Sequence, residues 1–598
     1  MSNREFTVAN EYHYNRSSPI RWIVSHALRY KPFVASFMLA SIITNTFYAT
    51  VPILTGAAFT AVLQGAAGRS QLLQIALLIL GVVLVGGVVD LSARLSTEIL
   101  GKRLATDARD ELYVNLLGKS QTFHNRQRVG DIMARAANDM TQLSNMVTPG
   151  FDIIFDSNVS LIMTLIFIGS INLQLLVIPV LFTASFLIAV RFYSRQLAPV
   201  SDSMREKFGE LNAGLNETIS GIQVVKAAAQ EKEEMYKFEK RAALYRDLFV
   251  RNGYVQSWYL PPLLLSIALV FAFLHGLFLV VHHQISVGSL VAFMGLMVVL
   301  RYPAFNSNWS LSLVQLGIAG AERILGILKE ETELDENEEG YRGSEDGMRG
   351  EIVFEHVSFR YEGTPILKDI SFRAEPGQTI AIVGQTGSGK STLTKLINRI
   401  YDVEAGRILV DDVDVRDWNL DALRSQISTI EQDIFLFSRS ISENIAYGLG
   451  QKADREAIKR AARDAQAHQF IMGFKEGYET EIGERGVTLS GGQRQRIAIA
   501  RALLTDPRIL ILDDSTSAID SATEDAIQRA IHRVLEGRTT LLITHRLSQI
   551  RWADKVLVLR QGELIDQGTH DELLGRCETY RRIFAHYGPA QQEFLWVS

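Results

Sequence analysis

The sequence has few cysteines, little charge and no excess of basic residues. Its 598 residues include one cysteine, Cys577, which excludes an intramolecular disulfide and a metal site built from several thiolates. The net charge of -5 offers no basic surplus, so we expect no nucleic-acid partner. The first residues, MSNREFTVANEYHYNRSS, lack the short apolar core that marks a cleavable signal peptide.

Charge is scarce because it is missing from four long stretches. Charged residues make up 21% of the chain and apolar residues 47%, whereas soluble proteins carry about 25% charge. A membrane span needs about 20 apolar helical residues. The charge-free stretches are 32–68, 70–89, 157–190 and 252–300. Polar turns near Ser170 and His282 divide the last two, so the sequence predicts six membrane spans rather than buried helices of a soluble protein.

Basic residues lie on one side of these spans. With the N-terminus inside, the outer loops hold one basic residue, Arg69, whereas the inner loops hold many. The positive-inside rule then predicts a multi-pass protein of the cell membrane, surrounded by lipid, with the N-terminus and the C-terminal half in the cytoplasm. Residues 15–31 mix apolar and basic side chains, which predicts an amphipathic helix at the inner surface.

The two long inner loops, 90–150 and 191–251, look helical throughout. The spans are therefore expected to continue as helices into the cytoplasm. About 25 extra residues, at 1.5 Å each, would project about 37 Å. An acidic segment follows the last span, since seven of the ten residues from Glu330 to Glu339 are acidic. Such a run predicts a solvated linker and a domain boundary.

The sequence after the linker contains a phosphate-binding loop. An apolar strand pattern, 379–383, runs into Gly-Gln-Thr-Gly-Ser-Gly-Lys-Ser and then into a helical pattern. In such a loop, backbone N–H groups converge on phosphate oxygens at a helix N-terminus. We expect Lys390 to neutralise the β- and γ-phosphates of ATP and Ser391 to ligate Mg²⁺. The predicted nucleotide-binding residues here are Gly384, Gln385, Thr386, Gly387, Ser388, Gly389, Lys390, Ser391 and Thr392.

Two further segments point to the same chemistry. The apolar pattern 509–512 ends in two carboxylates, of which Asp513 is expected in the Mg²⁺ shell and Asp514 beside the attacking water. Ser490, Gly491, Gly492 and Gln493 open a basic helix and form a second anion-binding N-terminus. No phosphate loop precedes this helix, so its phosphate must come from elsewhere.

The order of these motifs resembles that of the ATP-binding cassette (ABC) transporter family. Leu-Ser-Gly-Gly-Gln lies between the phosphate loop and the Asp-ended strand, and six spans before one cassette resemble a half-transporter of the exporter type. The resemblance implies ATP-driven export. It also implies that Tyr361 stacks on adenine, that Gln432 senses Mg²⁺ and the γ-phosphate, and that His545 contacts the γ-phosphate.

The resemblance further implies that two chains are needed. In this family two cassettes pack head to tail, and each ATP lies between one chain's phosphate loop and the partner's Ser-Gly-Gly. A second half-transporter is therefore the expected partner. The turns 123–131 and 219–225 match the family's segments that dock on the cassettes.

Asp514 departs from the family pattern, which usually has Asp-Glu with the glutamate as general base. Aspartate is one methylene shorter and holds the attacking water less well. The resemblance implies heterodimers in which such a degenerate site hydrolyses poorly, and we favour a heterodimer with this chain carrying that site. A homodimer that tolerates aspartate and a regulatory subunit with little hydrolysis of its own remain open.

The cargo is less specified. Arg301 lies in the last span, and an intramembrane arginine is a candidate functional residue, although a structural role stays open. Asn306, Asn308 and Trp309 extend a polar face below it, which suits a small amphipathic cargo that can carry an anionic group. Drugs, lipids and peptides all remain open.

These patterns predict a multi-domain chain, with an all-α six-helix transmembrane domain that has long cytoplasmic extensions, followed by an α/β P-loop NTPase cassette. The predicted division is 1–31 for the tail and amphipathic helix, 32–329 for the transmembrane domain, 330–350 for the linker, 351–588 for the cassette and 589–598 for a C-terminal tail.

Overall fold

The computed structural model describes residues 4–8, 11–345, 347–513 and 530–584. They form two compact units. The first, called the helical unit, consists of Tyr12–Tyr113 and Val129–Glu330. The second, called the cassette unit, consists of Val114–Arg128 together with the described residues before Tyr12 and after Glu330.

The first half of the chain is helical, as predicted. Six segments of the described chain are long and apolar enough to cross a membrane: Lys31–Leu63, Ser70–Leu117, Val129–Ile171, Leu173–Ser220, Glu231–Val281 and Val287–Lys329. The helices are α1 (Pro19–Arg29), α2 (Lys31–Leu63), α3 (Arg69–Leu117), α4 (Gln121–Arg126), α5 (Val129–Ala134), α6 (Met140–Asn145), α7 (Asp152–Ile171), α8 (Val177–Ser220), α9 (Ile222–Ala227), α10 (Glu231–Ser257), α11 (Pro261–Val281), α12 (Val287–Val299) and α13 (Arg301–Lys329).

Several of these helices are longer than a bilayer is thick. α3 has 49 residues and is therefore about 73 Å long, whereas the hydrocarbon core of a bilayer measures about 30 Å. α8 has 44 residues. The long helical extensions that the sequence predicts are therefore present. The short helices α4 and α9 follow α3 and α8 and overlap the two predicted docking turns.

The predicted amphipathic helix is α1, and its sequence supplies its cap. Ser18 Oγ accepts a hydrogen bond from the Arg21 N–H at 3.3 Å, and Pro19 occupies the first helical turn. The indole N–H of the fully buried Trp22 donates to Glu111 Oε2 at 2.9 Å. Arg16 pairs with the same carboxylate at 2.7 Å. These contacts fix α1 against the extension of α3.

Small residues allow α2 and α12 to pack closely. A Cβ atom on Gly56 would lie 2.3 Å from the carbonyl oxygen of Gly288, and one on Gly288 would lie 2.4 Å from that of Gly56. Such backbone approach is typical of membrane helices that meet at glycine. The same α12 buries Phe293 and Leu296 completely in the core of the helical unit.

Two sheets form the cassette unit. The strands are β1 (Ile352–Tyr361), β2 (Thr364–Ala374), β3 (Thr379–Gly384), β4 (Ala405–Val410), β5 (Val413–Asp414), β6 (Ile427–Ile430), β7 (Ile509–Asp513), β8 (Thr539–Ile543), β9 (Lys555–Arg560) and β10 (Glu563–Gly568). The first sheet is antiparallel, in the order β2-β1-β4-β5. The second has the order β10-β9-β3-β8-β7-β6, and its strands are parallel except for β9 with β10.

Helices complete the cassette unit: α14 (Lys390–Ile397), α15 (Leu420–Ser425), α16 (Ile441–Ile445), α17 (Arg455–Asp464), α18 (His468–Met472), α19 (Gly491–Thr505), α20 (Leu547–Ile550), α21 (His570–Arg576) and α22 (Glu578–Phe584). β3, β7 and β8 are apolar and buried, as expected for parallel strands covered on both faces. In their register Ile382 lies beside Ile543, and Asp513 lies beside the same Ile543. Their carboxyl ends therefore meet at one edge, where α/β sheets bind ligands.

The linker lies on the cassette unit. Leu334 and Met348 are buried, and the Tyr341 N–H donates to the Asp417 carbonyl at 2.8 Å. The Tyr341 ring packs edge-on against Trp418, with 4.7 Å between ring centroids. The linker is therefore less solvated than its charge predicts, because apolar and aromatic side chains interrupt its acidic run.

Candidate nucleotide-binding site

The phosphate loop connects β3 to α14, as its motif predicts. Gly387 and Gly389 have φ angles of 80° and 99°, a region that favours glycine. A Cβ atom on Gly389 would also lie 2.7 Å from Leu367 Cδ2. The segment from Gly384 to Thr392 therefore has the strand–loop–helix form in which backbone N–H groups converge on phosphate.

Lys390 lies against its own loop. Its Nζ donates to the carbonyl oxygens of Gly384 at 2.9 Å and of Gln385 at 3.0 Å. Burial lowers the pKa of this ammonium, and the negative charge of Asp513 opposes that shift. Ser388 Oγ is buried and has no hydrogen-bond partner among the described residues. A cation and an unpartnered hydroxyl on one loop fit the oxygens of a phosphate group.

Ser391 and Asp513 meet although 122 positions separate them. β8 lies between β3 and β7, so the end of β7 faces the beginning of α14. Ser391 Oγ donates to Asp513 Oδ2 at 2.6 Å. Hydroxyl and carboxylate oxygens are the ligands that Mg²⁺ prefers, and these two are close enough to contact one ion. The pair therefore fits the predicted metal site.

A cavity of about 1070 Å³ opens beside Ser391 and Asp513. Gln432, which follows β6, and Tyr361, which ends β1, also line it. Its size is close to the upper end of the range for small-molecule and cofactor sites. The fold thus brings together four of the residues that the sequence assigns to nucleotide and Mg²⁺.

Sequence reasoning missed Tyr401 and its contacts with α4. The Asn125 side-chain amide donates to the Tyr401 hydroxyl at 2.8 Å, and the Tyr401 ring packs edge-on against Tyr361 at 5.2 Å. Beside them, Arg126 pairs with Glu362 at 3.0 Å. All five residues line the cavity. A docking turn is predicted at 123–131, but no spacing in the sequence identifies its partners.

The second anion-binding segment lies outside this cavity. Ser490 Oγ accepts the Gln493 N–H at 3.3 Å, and Gln493 Oε1 accepts the Ser490 N–H at 2.9 Å. This capping box begins α19. Ser490 and Gly491 are exposed, Gly492 is buried, and a Cβ atom on Gly491 would contact nothing within 4 Å. An exposed helix N-terminus of this kind can receive an anion from another molecule.

Comparisons with known proteins agree with this geometry. The family model for ABC transporters matches residues 367–517, and the model for the ABC transporter transmembrane region matches residues 34–304. The chain is 34% identical to the ATP-dependent lipid A-core flippase of Nitrosococcus oceani, over 95% of this chain and 93% of that protein. The chain belongs to the ABC transporter family.

Two further similarities indicate which type of ABC transporter the chain is. A putative multidrug export ATP-binding/permease protein of Bacillus subtilis is 34% identical, over 80% of this chain and 83% of its own length. A solved structure of a bacterial Atm1-family ABC exporter with ATP bound matches with a TM-score of 0.78 and 27% identity, over 93% of this chain and 98% of that one. The protein is an ABC exporter with fused transmembrane and ATP-binding domains, and such exporters work as dimers of half-transporters.

The structure describes only one of the other two predicted catalytic residues of this exporter, Asp514 and His545. Asp514 lies outside the residues that the structure describes. His545 follows β8, whose carboxyl end lies between those of β3 and β7, and its side chain is exposed. The roles of both residues in catalysis remain predictions from the sequence.

The predicted cargo residues of the exporter lie on α13. The Arg301 guanidinium lies over the Phe305 ring at 5.2 Å, and it forms no ion pair within the described part of the chain. The Asn306 side-chain amide donates to the Tyr302 carbonyl at 3.1 Å, and Trp309 is exposed. The side chain of Asn308 lies outside the described residues. Arg301 thus has an aromatic neighbour rather than a carboxylate.

Proposed function

We propose that this exporter subunit binds MgATP with Lys390, Ser391 and Asp513 and uses ATP hydrolysis to drive export of an amphipathic cargo. The hydrogen bond of 2.6 Å between Ser391 Oγ and Asp513 Oδ2 carries the proposal, because it joins the phosphate loop to the strand that ends in carboxylates. Bound Mg²⁺ would offset the negative charge of the β- and γ-phosphates.

The remaining residues around the cavity have distinct proposed roles. The backbone N–H groups of the loop from Gly384 to Thr392 hold the phosphates. Tyr361 stacks on the base, and Gln432 reaches the metal ion and the γ-phosphate from the end of β6. The lining of one cavity by Tyr361, Gln432, Ser391 and Asp513 supports these roles.

The metal assignment is tested by removing one proposed ligand. Ser391→Ala in the purified full-length dimer should weaken binding of ATP in the presence of Mg²⁺ by about tenfold, the cost of one charge-assisted contact. Binding of ATP in EDTA should change little, because the loop N–H groups remain. Ser425→Ala, an exposed serine that ends α15, is the matched control. Equal weakening with and without Mg²⁺ would contradict the assignment.

We propose that Ser490, Gly491, Gly492 and Gln493 bind the ATP held by the partner subunit. The exposure of Ser490 and Gly491, and the position of the segment outside this chain's own cavity, support the proposal. Ser490→Arg should abolish most of the turnover in the dimer while leaving ATP binding at this chain's phosphate loop intact. Ser425→Arg is the control for a new surface arginine. Normal turnover of the Ser490 variant would count against head-to-tail pairing.

We further propose a heterodimer in which this chain carries the degenerate site, with Asp514 in place of the usual glutamate and His545 at the γ-phosphate. General-base catalysis contributes about 10²–10⁴-fold to rate. In a heterodimer, Asp514→Asn should lower total ATPase activity less than twofold, whereas in a homodimer it should lower it by about 10²-fold or more. A chain that hydrolyses ATP well alone, and loses that activity in Asp514→Asn, would favour the homodimer. A regulatory subunit would bind ATP in either assembly without turnover at this site.

The names of the relatives bear on the cargo. One is described as an ATP-dependent lipid A-core flippase and another as a putative multidrug export ATP-binding/permease protein. We propose an amphipathic lipid or drug as the cargo, with the N-terminus and the cassette unit on the cytoplasmic side. Stimulation of ATPase activity by candidate amphiphiles in nanodiscs tests the cargo class.

The orientation is tested by labelling. In a Cys577→Ser background, a cysteine introduced at Gly65 should react with an impermeant maleimide applied from outside.

A further inference from the structure

A carboxylate of α7 binds polar groups of α2 within the apolar part of the helical unit. Asp156 Oδ1 accepts hydrogen bonds from Ser41 Oγ at 2.8 Å and from the Asn45 side-chain amide at 2.6 Å. Ser41 and Asn45 belong to the charge-free stretch 32–68. Both partners of Asp156 are neutral, so these hydrogen bonds stabilise its negative charge without cancelling it.

Asp152 adds a second carboxylate one helical turn away. It interacts electrostatically with Asp156, with Asp90 and with Arg94. Arg94, the one cation in this group, pairs with Asp90 at 2.7 Å. Within the described part of the chain, neither Asp152 nor Asp156 forms an ion pair. The group therefore carries an excess of negative charge that no described side chain neutralises.

Two buried hydroxyl groups beside these carboxylates also have no partner. Thr44 is 3% exposed and lies between Ser41 and Asn45 on the buried face of α2. Ser157 is 7% exposed and directly follows Asp156 on α7. Neither hydroxyl oxygen has a hydrogen-bond partner among the described residues. Buried hydroxyls are normally satisfied, so two unpartnered ones, one between the Asp156 partners on α2 and one next to Asp156 on α7, point to a polar ligand.

Aromatic rings flank the same place. Phe37 lies one turn before Ser41, and its ring centroid is 5.2 Å from that of Phe155 and 6.3 Å from that of Phe151. Phe151 and Phe155 directly precede Asp152 and Asp156 in the sequence. Phe37 is buried, whereas Phe151 is 49% exposed. Aromatic faces attract cations, and aromatic edges and faces also accept an apolar body.

We infer that Asp152, Asp156 and the adjacent Thr44 and Ser157 hydroxyls form a binding site for the positively charged head of an amphipathic cation, whose apolar part packs on the phenylalanine rings. The inference rests on the proposed export function and names the charge of its cargo. Asp90 and the α7 carboxylates lie where the charge-free stretches 70–89 and 157–190 end. That level lets an amphiphile keep its head near the interface and its tail in the hydrocarbon.

The cationic head expected at this site is opposite in charge to the anionic group that Arg301 predicts for the cargo. The Arg301 guanidinium already contacts the Phe305 ring, whereas neither α7 carboxylate forms an ion pair among the described residues, and Arg94, the cation that acts on Asp152, is paired with Asp90. Asp156 also has a structural role, since it joins α2 to α7 through hydrogen bonds with Ser41 and Asn45. Asp152 forms no such bond within the described residues, so Asp152→Asn removes the charge without removing a helix contact.

The test uses two probes of the same shape and opposite charge. Tetraphenylphosphonium and tetraphenylborate are each titrated onto the full-length exporter in nanodiscs without nucleotide, with protein-free nanodiscs as the blank. We expect the phosphonium cation to bind, and Asp152→Asn to weaken its binding by about tenfold, the loss of one partly desolvated charge contact. Asp110→Asn removes the same charge from an exposed position on α3, 20 residues and about 30 Å beyond Asp90, and should leave binding unchanged.

Each outcome decides the inference separately from the export function. Equal phosphonium affinity in the wild type and in Asp152→Asn would overturn it. So would borate binding as tight as phosphonium binding, which would favour an anionic cargo near Arg301. Basal ATPase activity is measured in the same samples. Normal ATPase activity with no charge preference would contradict the cationic site alone. Absent ATPase activity in the dimer assembled with its partner subunit would contradict the proposed export function and leave the binding result standing.

Discussion

Replacing Lys390 tests the phosphate loop most directly. The Nζ atom now donates to the Gly384 and Gln385 carbonyls at 2.9 and 3.0 Å, and it lies half-buried beside Asp513. When ATP is bound, we expect this ammonium to bind the β- and γ-phosphates. A hydrogen bond between charged groups contributes about 1.5–3 kcal/mol. Lys390→Ala should therefore weaken ATP binding by about 10- to 150-fold.

The measurement is the dissociation constant of a fluorescent ATP analogue for the full-length protein in nanodiscs. Lys459→Ala, which removes a lysine paired with Glu456 on α17, is the control for a general loss of positive charge. A second measurement, denaturant unfolding without nucleotide, checks that the variant loses no more than about 2 kcal/mol for two carbonyl contacts. An affinity within twofold of the wild type in a folded Lys390 variant would refute the assignment of the loop.

Two further predictions concern residues around the same cavity. Gly389→Ala should destabilise the nucleotide-free protein by about 1–3 kcal/mol in denaturant unfolding, because φ is 99° and the new Cβ would meet Leu367. Gly575→Ala, in α21 with open space around it, should be neutral or slightly stabilising, and a similar loss there would contradict the argument. Asn125→Ala and Tyr401→Phe remove one hydrogen bond, so their effects on unfolding should be non-additive, with a coupling of about 0.5–1.5 kcal/mol. Additive effects would show that this contact contributes nothing.

The phosphate loop was predictable because its residues are contiguous. Gly384 to Ser391 carries its own conformational requirements, and glycines at 387 and 389 occupy the positive-φ positions. Asp513 was predictable for a different reason. A carboxylate at the end of a strand pattern is expected at the carboxyl edge of the sheet, where ligands bind. Tyr401 carried no such signal. Its partner Asn125 is 276 residues away, on a short helix whose place in the fold no local pattern gives.

The group of carboxylates in the helical unit was not predicted as a site, because a search for membrane spans takes charged residues only as the ends of spans. Asp90, Asp152 and Asp156 lie just outside the charge-free stretches 70–89 and 157–190, so in the sequence they mark where spans end. Arg301, a lone charge close to an apolar run, attracted the functional interpretation instead. In the structure α2 passes beside α7 and brings Ser41 and Asn45 onto Asp156. Which charge at a span boundary is a stop signal and which is part of a site depends on the neighbouring helix, and only the packing of α2 on α7 separates the two.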